Sequence, residues 1–170
     1  MMRCLVICAL MGCVVGIGCA NPSAEQLLDP AQLRSEAQEV SFEEIEGAAS
    51  SMSGISERQR LVIDDVESWA TFWTRLHANI SPEPPAPIVD FGNRVVVAAT
   101  MGQRATGGYA IRIEEITRVG DDLRVVVLET SPSPKCLTTQ AFSAPATAVT
   151  VPRPAEHVDF VEEAETRDCS

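Results

Sequence analysis

Apolar positions divide the chain into an uncharged N-terminal run, a polar segment and a long region of alternating residues. Residues 5–18 carry no charge, whereas residues 21–40 are rich in Ala, Gln, Glu and Ser. From residue 41 onward, apolar and polar positions alternate in short stretches typical of β-strands. The pattern predicts an N-terminal signal segment at 1–18, a flexible acidic tether at 19–40, one folded domain at 41–163 and a C-terminal tail at 164–170.

Two strong strand patterns lie at the centre of the domain. Residues 94–100 form a β-branched run long enough for a buried central strand, and residues 109–118 alternate as a half-buried strand. The sequence Gly120–Asp121–Asp122 predicts a tight turn between the second of these strands and residues 123–129. Further strands are predicted near residues 42–47, 61–63, 147–151 and 158–161.

One segment follows a helical period instead. Asp64–Asp65 followed by Glu67 is a capping-box pattern that predicts a helix start. We interpret the apolar face of this helix as packed on a sheet, with an exposed aromatic docking surface as the alternative. The apolar residues at helical spacing are Val66, Trp69, Phe72, Trp73 and Leu76.

These elements together predict the fold class. Prolines at positions 82, 84, 85 and 87 end the helix and favour an extended connection after it. The predicted class is α+β, a mostly antiparallel β-sheet of about six or seven strands with one amphipathic helix packed on it.

The N-terminal segment is typical of a bacterial lipoprotein signal. Arg3 precedes the apolar run, and Gly18–Cys19–Ala20 places a cysteine among small residues, which predicts cleavage before Cys19 and its acylation. Cys13 is an alternative acylation site, and an uncleaved membrane anchor is a third interpretation. The predicted localisation is the cell envelope, lipid-anchored on the outer membrane or the periplasmic face if the host has two membranes.

Charge and cysteine content restrict the partners and the chemistry. The 24 acidic and 13 basic residues give a formal net charge of −11, so we expect no nucleic-acid partner, because the phosphate backbone repels an acidic surface. Four of the six cysteines lie in the signal segment or at its predicted cleavage point, which leaves Cys136 and Cys169. In an oxidising compartment they can pair and close a loop of about 30 residues, or they can stay unpaired.

The residues indicate no catalytic or metal-binding set. His77 and His157 have no matching ligand spacing, and no CxxC or GxSxG pattern occurs. A Cys136 nucleophile assisted by His157 has weak support, since Lys135 is the one nearby cation. We therefore expect no enzymatic activity, no metal and no cofactor.

The distinctive polar signal is the loop from Gly102 to Tyr109, between the two strongest strands. Its consecutive glycines allow positive φ and leave backbone N–H groups uncovered, and it also carries two hydroxyls and one cation. Such a loop binds a chain or an anion, or it is a tight connection whose glycines only satisfy geometry. The candidate partner-binding residues are Arg104, Thr106, Gly107, Gly108 and Tyr109.

This loop and the residues around it resemble the C-terminal domain of the protease complex subunit PrcB, and the resemblance runs from about Phe42 to Phe160. Ala105 stands where that family usually has Pro. The resemblance implies a secreted lipoprotein that associates with and stabilises a cell-surface protease, without catalytic residues to transfer. It rests on Ser53–Gly54, Trp69, Trp73, Val89–Phe91, Gly102–Arg104, Thr106–Tyr109, Glu129–Pro132, Cys136, Thr139–Gln140 and Val149–Arg153.

Three functions stay open at this point. The first is a non-enzymatic accessory module, anchored by membrane lipid at Cys19, whose loop and neighbouring strand edges bind an exported protein such as a protease. The second is a protease inhibitor, because Thr-Gly-Gly-Tyr is similar to the Asn-Pro-Thr-Thr-Gly-Tyr loop of chagasin-like inhibitors, although both tryptophans belong to the helix. The third is an envelope structural protein with no dedicated ligand. Valine at both Gly107 and Gly108 is expected to abolish partner capture and to leave the fold intact.

Overall fold

The computed structural model describes residues 37–153 and 157–169. The predicted signal segment, the candidate acylation sites Cys19 and Cys13, and most of the predicted tether lie outside these residues. The described chain contains eight strands and one helix. Their bounds are β1 Gln38–Glu39, β2 Glu43–Glu44, β3 Arg58–Ile63, α1 Val66–Leu76, β4 Arg94–Met101, β5 Ala110–Val119, β6 Asp122–Pro132, β7 Ala146–Pro152 and β8 Val158–Arg167.

The strands form two four-stranded sheets. The outer sheet has the order β1-β5-β6-β8 and the middle sheet the order β2-β7-β4-β3. Every pairing is antiparallel except that of β6 with β8. The predicted α+β class is confirmed. The strand number exceeds the prediction because β1, of two residues, is too short to leave an alternating pattern, whereas β2 lies within the strand predicted near residues 42–47.

The middle sheet is covered on both faces, which gives the domain three layers. On β4, Val95 and Val97 point to the outer sheet, whereas Val96 and Ala98 point to α1. A strand buried on both faces reads as a continuous apolar run, which is the pattern of residues 94–101. Burial of these side chains in two cores is the main stabilising contribution of the sheet.

The helix packs its aromatic face on the middle sheet. Asp65 is the N-cap and its side chain accepts from the Ser68 N–H at 2.9 Å, so the helix begins one residue later than a capping box at Asp64 requires. Trp69 and Trp73 are buried, and their indole N–H groups donate to carbonyls of the proline-rich connection at 2.9 and 2.8 Å. The sheet-packed interpretation of this face is therefore confirmed, whereas Val66, counted on the same face, is exposed.

The sheets extend beyond the predicted domain limits at both ends. Gln38 and Glu39, assigned above to the tether, pair with β5 as β1. Residues 164–167, assigned to the tail, continue β8 along β6. Backbone pairing decides both limits, because an extended segment beside an open ladder gains hydrogen bonds whatever its side chains are. Within the described residues, no helix is long and apolar enough to cross a membrane.

Candidate functional site

The loop from Gly102 to Tyr109 leaves β4 through a glycine that no other residue could replace without strain. Gly102 has φ +71°, and a Cβ added there would lie 2.8 Å from the Ser56 carbonyl oxygen. The next residue, Gln103, donates its N–H to the same oxygen at 3.0 Å. The close approach of the two chains therefore depends on the missing side chain.

The middle of the loop is paired with a second segment, residues 133–143, which we call the disulfide segment. Arg104 and Ser143 exchange backbone hydrogen bonds of 2.7 and 3.0 Å. The Ser143 hydroxyl donates to the Thr106 carbonyl at 2.7 Å, and the Gly107 N–H donates to the Thr139 carbonyl at 3.1 Å. These bonds use backbone groups that the sequence interpretation left free for a ligand.

Both central glycines are packed rather than open. A Cβ on Gly107 would overlap the Thr139 hydroxyl, and a Cβ on Gly108, which has φ +94°, would lie 3.1 Å from Pro132 Cβ and from Thr138 Cγ2. Interiors this close accommodate an added methyl group only by displacing their neighbours. The expectation that valine at both positions leaves the fold intact is therefore wrong.

The disulfide segment is covalently attached to the end of β8. Cys136 and Cys169 form a disulfide with an S–S distance of 1.99 Å, which is the pairing that the cysteine count left open. Ser133 donates its N–H to the Arg167 carbonyl at 3.0 Å, and the Arg167 guanidinium donates to the Gly108 carbonyl at the same distance. The loop, the disulfide segment and the end of β8 thus form one connected unit.

Arg104 joins the loop to a cluster of charges between the sheets. Its guanidinium carbon lies 5.5 Å from the Tyr109 ring centroid, within the range of a cation–π contact. Its Nη2 lies 3.8 Å from Glu129 Oε2. Two of the predicted partner-binding residues, Arg104 and Tyr109, therefore contact each other and are only partly exposed.

The charge cluster itself spans the two sheets. Arg58 and Arg60 on β3 face Glu129 on β6 and Glu162 on β8, with nitrogen–oxygen distances of 2.6 to 2.8 Å. Hydrogen bonds from Arg60 hold the pKa of Glu162 below its ordinary value, although burial acts in the opposite direction. We call Arg58, Arg60, Glu129 and Glu162 the intersheet network. It connects β3 to β8 at one side of the sandwich.

A cleft of about 270 Å³ lies beside the loop. Gln103 borders it from the loop, Phe142 from the disulfide segment and Met52 from the connection before β3. The side chains of Met52 and Phe142 are 61% and 66% exposed. Sequence reasoning missed both residues. Their one signal is an apolar side chain within a polar, turn-rich stretch, which many surface loops share.

A second groove of about 240 Å³ lies along the start of β5. Tyr109 opens it, and Ile111 lines it from the outer sheet. The remaining walls are formed by small side chains from the middle sheet and the connection before it. These are Ala49, Ser50, Ser51, Pro145 and Ala146, together with Ala110 on β5.

Two residues with chemically reactive side chains, Cys136 and His77, make structural contacts. The disulfide occupies the Cys136 thiol, so the considered cysteine nucleophile is contradicted. His77 is buried and stacks on Trp73 with ring centroids 4.2 Å apart, so its ring packs in the core at the end of the helix. Within residues 37–153 and 157–169, no three His, Cys, Asp or Glu residues come together in a way that could hold a metal ion.

The chain matches one family model over part of its length. The model of the PrcB C-terminal family matches residues 95–152, which extend from β4 to the end of β7. Searches of curated proteins and of solved structures found no match. The matched region contains the whole loop and the whole disulfide segment.

Proposed function

We propose that this chain is a non-enzymatic, exported accessory module of a protease complex, because the PrcB C-terminal family model matches residues 95–152. A lipid on Cys19 anchors it to the cell envelope, and its partner is an exported protease that it binds and stabilises. The family match carries this proposal, since it covers the loop, the disulfide segment and the four strands β4 to β7 that flank them. A fold alone assigns no partner, so the surface must supply the remaining argument.

The surface beside the loop supports a protein as the partner. Phe142 and Met52 expose most of their side chains at the rim of the cleft. Aromatic residues and methionine are enriched at protein interfaces, where one exposed apolar side chain inserts into a pocket of the partner. The exposed Gln103 and Ala105 continue this surface along the loop. We place the contact with the partner here rather than on the packed glycines.

The packed loop favours the accessory module over an inhibitor. An inhibitory loop has to project into a protease cleft with its backbone groups free. Here the Thr106 carbonyl accepts from the Ser143 hydroxyl, and the Gly107 N–H donates to the Thr139 carbonyl. Gly108 lies against Pro132. Both tryptophans are buried under the proline-rich connection, so neither supplies a companion loop.

Crosslinking in intact cells tests the proposal. The tagged full-length protein is expressed at its native level, crosslinked, purified under denaturing conditions and examined by mass spectrometry. We expect one exported protease, or a subunit of its complex, at near-equal amount with the bait. Recovery of only abundant envelope proteins would contradict the proposal and favour the envelope structural protein.

A matched pair of variants tests the surface. Phe142→Ser is expected to reduce the captured protease at least about tenfold, which corresponds to an interface anchor worth roughly 1.4 kcal/mol. Ile88→Ser removes a fully exposed apolar side chain away from the cleft and is expected to have no effect. Equal capture by the two variants would show that the partner binds a different surface. Inhibition of the captured protease by the purified protein would instead support the inhibitor.

The lipid anchor has its own test. Metabolic labelling with a fatty acid that carries a detectable group is expected to label the wild-type chain and a Cys13→Ala variant, but not a Cys19→Ala variant. Label retained in Cys19→Ala and lost in Cys13→Ala would assign acylation to the alternative cysteine. An unlabelled wild-type chain would contradict the lipoprotein.

A further inference from the structure

The free edges of the two sheets differ in how they are protected. Within the described residues, β3 and β8 each pair on one side only. The first half of β5 is also free on one side, because β1 covers Thr117 and Arg118 and the Val40 N–H reaches the Ile116 carbonyl. Residues 110–115 of β5 therefore have no described strand beside them on that side.

Inward-pointing charges protect the edges of β3 and β8. Arg58 and Arg60 on β3, and Glu162 on β8, lie on the faces that point between the sheets, where they pair with each other. A charged side chain pointing inward from an edge strand is a known device against the addition of a further strand. The outward face of β8 adds more acidic groups, at Glu163 and Glu165.

The first half of β5 has no such protection. Leu123 on β6 donates its N–H to the His157 carbonyl, on the β8 side, at 2.9 Å. Because backbone groups alternate in direction along a strand, residues 124, 126, 128 and 130 direct their N–H and C=O groups toward β5. Ala110 and Arg112 lie opposite Thr130 and Leu128, so their backbone groups pair with β6. Ile111 and Ile113 therefore direct their N–H and C=O groups to the free edge, while their side chains stay in the core.

The groove beside this edge has room for the side chains of an added strand. It holds about 240 Å³ between the two sheets, and its walls include Ala49, Ser51 and Pro145. An extended chain bonded to β5 would turn every second side chain into this groove. Small apolar side chains such as valine or alanine fit walls of this composition, whereas a charged side chain would find no partner among them.

Charge selects the other side chains of such a strand. Glu114 and Glu115 are exposed where the free part of β5 ends, and the whole chain carries a net charge of −11. Arg112, the one cation of this part of the strand, is already paired with Glu114 and lies 3.7 Å from Glu165. Basic side chains on the outward face of an added strand would complement these carboxylates.

We propose that the free edge of β5 binds an extended segment of the partner, in which small apolar residues alternate with basic ones, by addition of a strand to the outer sheet. This inference rests on the proposed function for the existence of a protein partner, and it names the part of that partner that is recognised. Main-chain hydrogen bonds to Ile111 and Ile113 provide the contact, and the groove and the carboxylates provide the selectivity.

Amide hydrogen exchange with a synthetic peptide tests the inference. The probe is the blocked heptapeptide Lys-Val-Lys-Val-Lys-Val-Lys, added to the full-length protein. We expect exchange of the Ile111 and Ile113 amides to slow at least about tenfold, and exchange along the free sides of β3 and β8 to stay unchanged. A peptide with N-methyl groups on every residue is expected to give no protection, because it lacks the donors that the ladder needs in either strand direction.

Three results would overturn the inference. The first is no protection of Ile111 and Ile113 at millimolar peptide. The second is equal protection by the corresponding Glu-Val peptide, which would remove the charge argument. The third is protection that appears without peptide and grows with protein concentration, because the edge would then be an interface between two copies of this chain.

A pair of tryptophan variants separates this inference from the proposed function. Ser51→Trp fills the groove from an exposed position, and Ala70→Trp places the same side chain at an exposed position of α1. We expect Ser51→Trp to weaken peptide binding at least about tenfold and Ala70→Trp to leave it unchanged, with both variants folded. If Ser51→Trp still captures the protease in cells at the wild-type level, the edge inference fails and the accessory function stands. If the wild-type chain captures no protease but the peptide protects the Ile111 and Ile113 amides, the accessory function fails and the edge inference stands.

Discussion

Replacing Arg60 by methionine is expected to destabilise the domain far more than any surface arginine would, because Arg60 is the centre of the intersheet network. Its guanidinium donates to both carboxylates of the network at 2.6 to 2.8 Å and to the carbonyls of Gln59 and Thr100 at 2.8 and 2.9 Å. The side chains of Arg60 and Glu129 are 11% and 15% exposed. Methionine keeps the apolar stem and removes the charge and the donors.

The magnitude follows from what remains after the change. Breaking a buried ion pair from one side costs about 3–5 kcal/mol, largely because the other charge is left uncompensated. Arg58 still contacts both Glu129 and Glu162, and Glu162 is partly exposed, so we expect about 2–3 kcal/mol here. For a domain of this size, about 3–5 °C of Tm corresponds to each kcal/mol, which gives a fall of roughly 6–15 °C.

Thermal and urea denaturation of the purified variants measures this effect against a matched control. Arg112 also lies on a strand and also contacts two glutamates, but its side chain is 53% exposed. Arg112→Met is therefore expected to cost less than about 0.5 kcal/mol. Equal losses for the two variants, or no loss for Arg60→Met, would refute the conclusion that the network stabilises the junction of the sheets.

Three further predictions concern acid denaturation, the Cys136–Cys169 disulfide and the packing of Gly108. Because the pKa of Glu162 is lowered from its ordinary 4.5, its stabilisation is present above that pH and is lost as the pH falls through the folded value; Tm is therefore expected to drop below about pH 4.5, and less steeply in Glu162→Gln. Serine at both Cys136 and Cys169, which are 33 residues apart, is expected to cost about 3–4 kcal/mol by the chain-entropy estimate, and urea denaturation without reductant would contradict this if the midpoint did not move. Gly108→Ala is expected to lower stability by about 1–2 kcal/mol more than Gly120→Ala, because both glycines have positive φ but only Gly108 would place a Cβ against neighbouring atoms; equal losses in thermal denaturation would refute the packing explanation.

Much of the fold could be predicted from local patterns, because each is produced by residues close in sequence. The helical period of residues 66–76, the buried run of residues 94–101 and the turn at Gly120 all lie where the patterns placed them. Gly120 has φ +62°, and a positive φ is required of the glycine at the first position of a two-residue hairpin turn. The strand β1 could not be predicted, since its pairing with β5 depends on a segment about 80 residues away.

The candidate site was predicted less well, for a physical reason. The residues of the loop from Gly102 to Tyr109 were identified, but the two interpretations of its glycines differ only in what lies against them. Thr139 and Pro132 decide that question, and both reach the loop only through tertiary packing. Exposure of Phe142 and Met52 around one cleft is equally a property of the fold, because the two residues are 90 positions apart in the chain.

The sequence by itself determined the elements whose causes are local: an amphipathic helix that begins next to Asp64–Asp65, a central strand buried on both faces, and a glycine turn between two long strands. Tertiary structure decided everything that depends on distant neighbours. It assigned the inward charges of β3 and β8 to one network, packed the central glycines of the loop, and left the first half of β5 with a free edge among the described strands. Periodicity reports which side of a strand is apolar, but only the arrangement of the strands determines what that side and that edge meet.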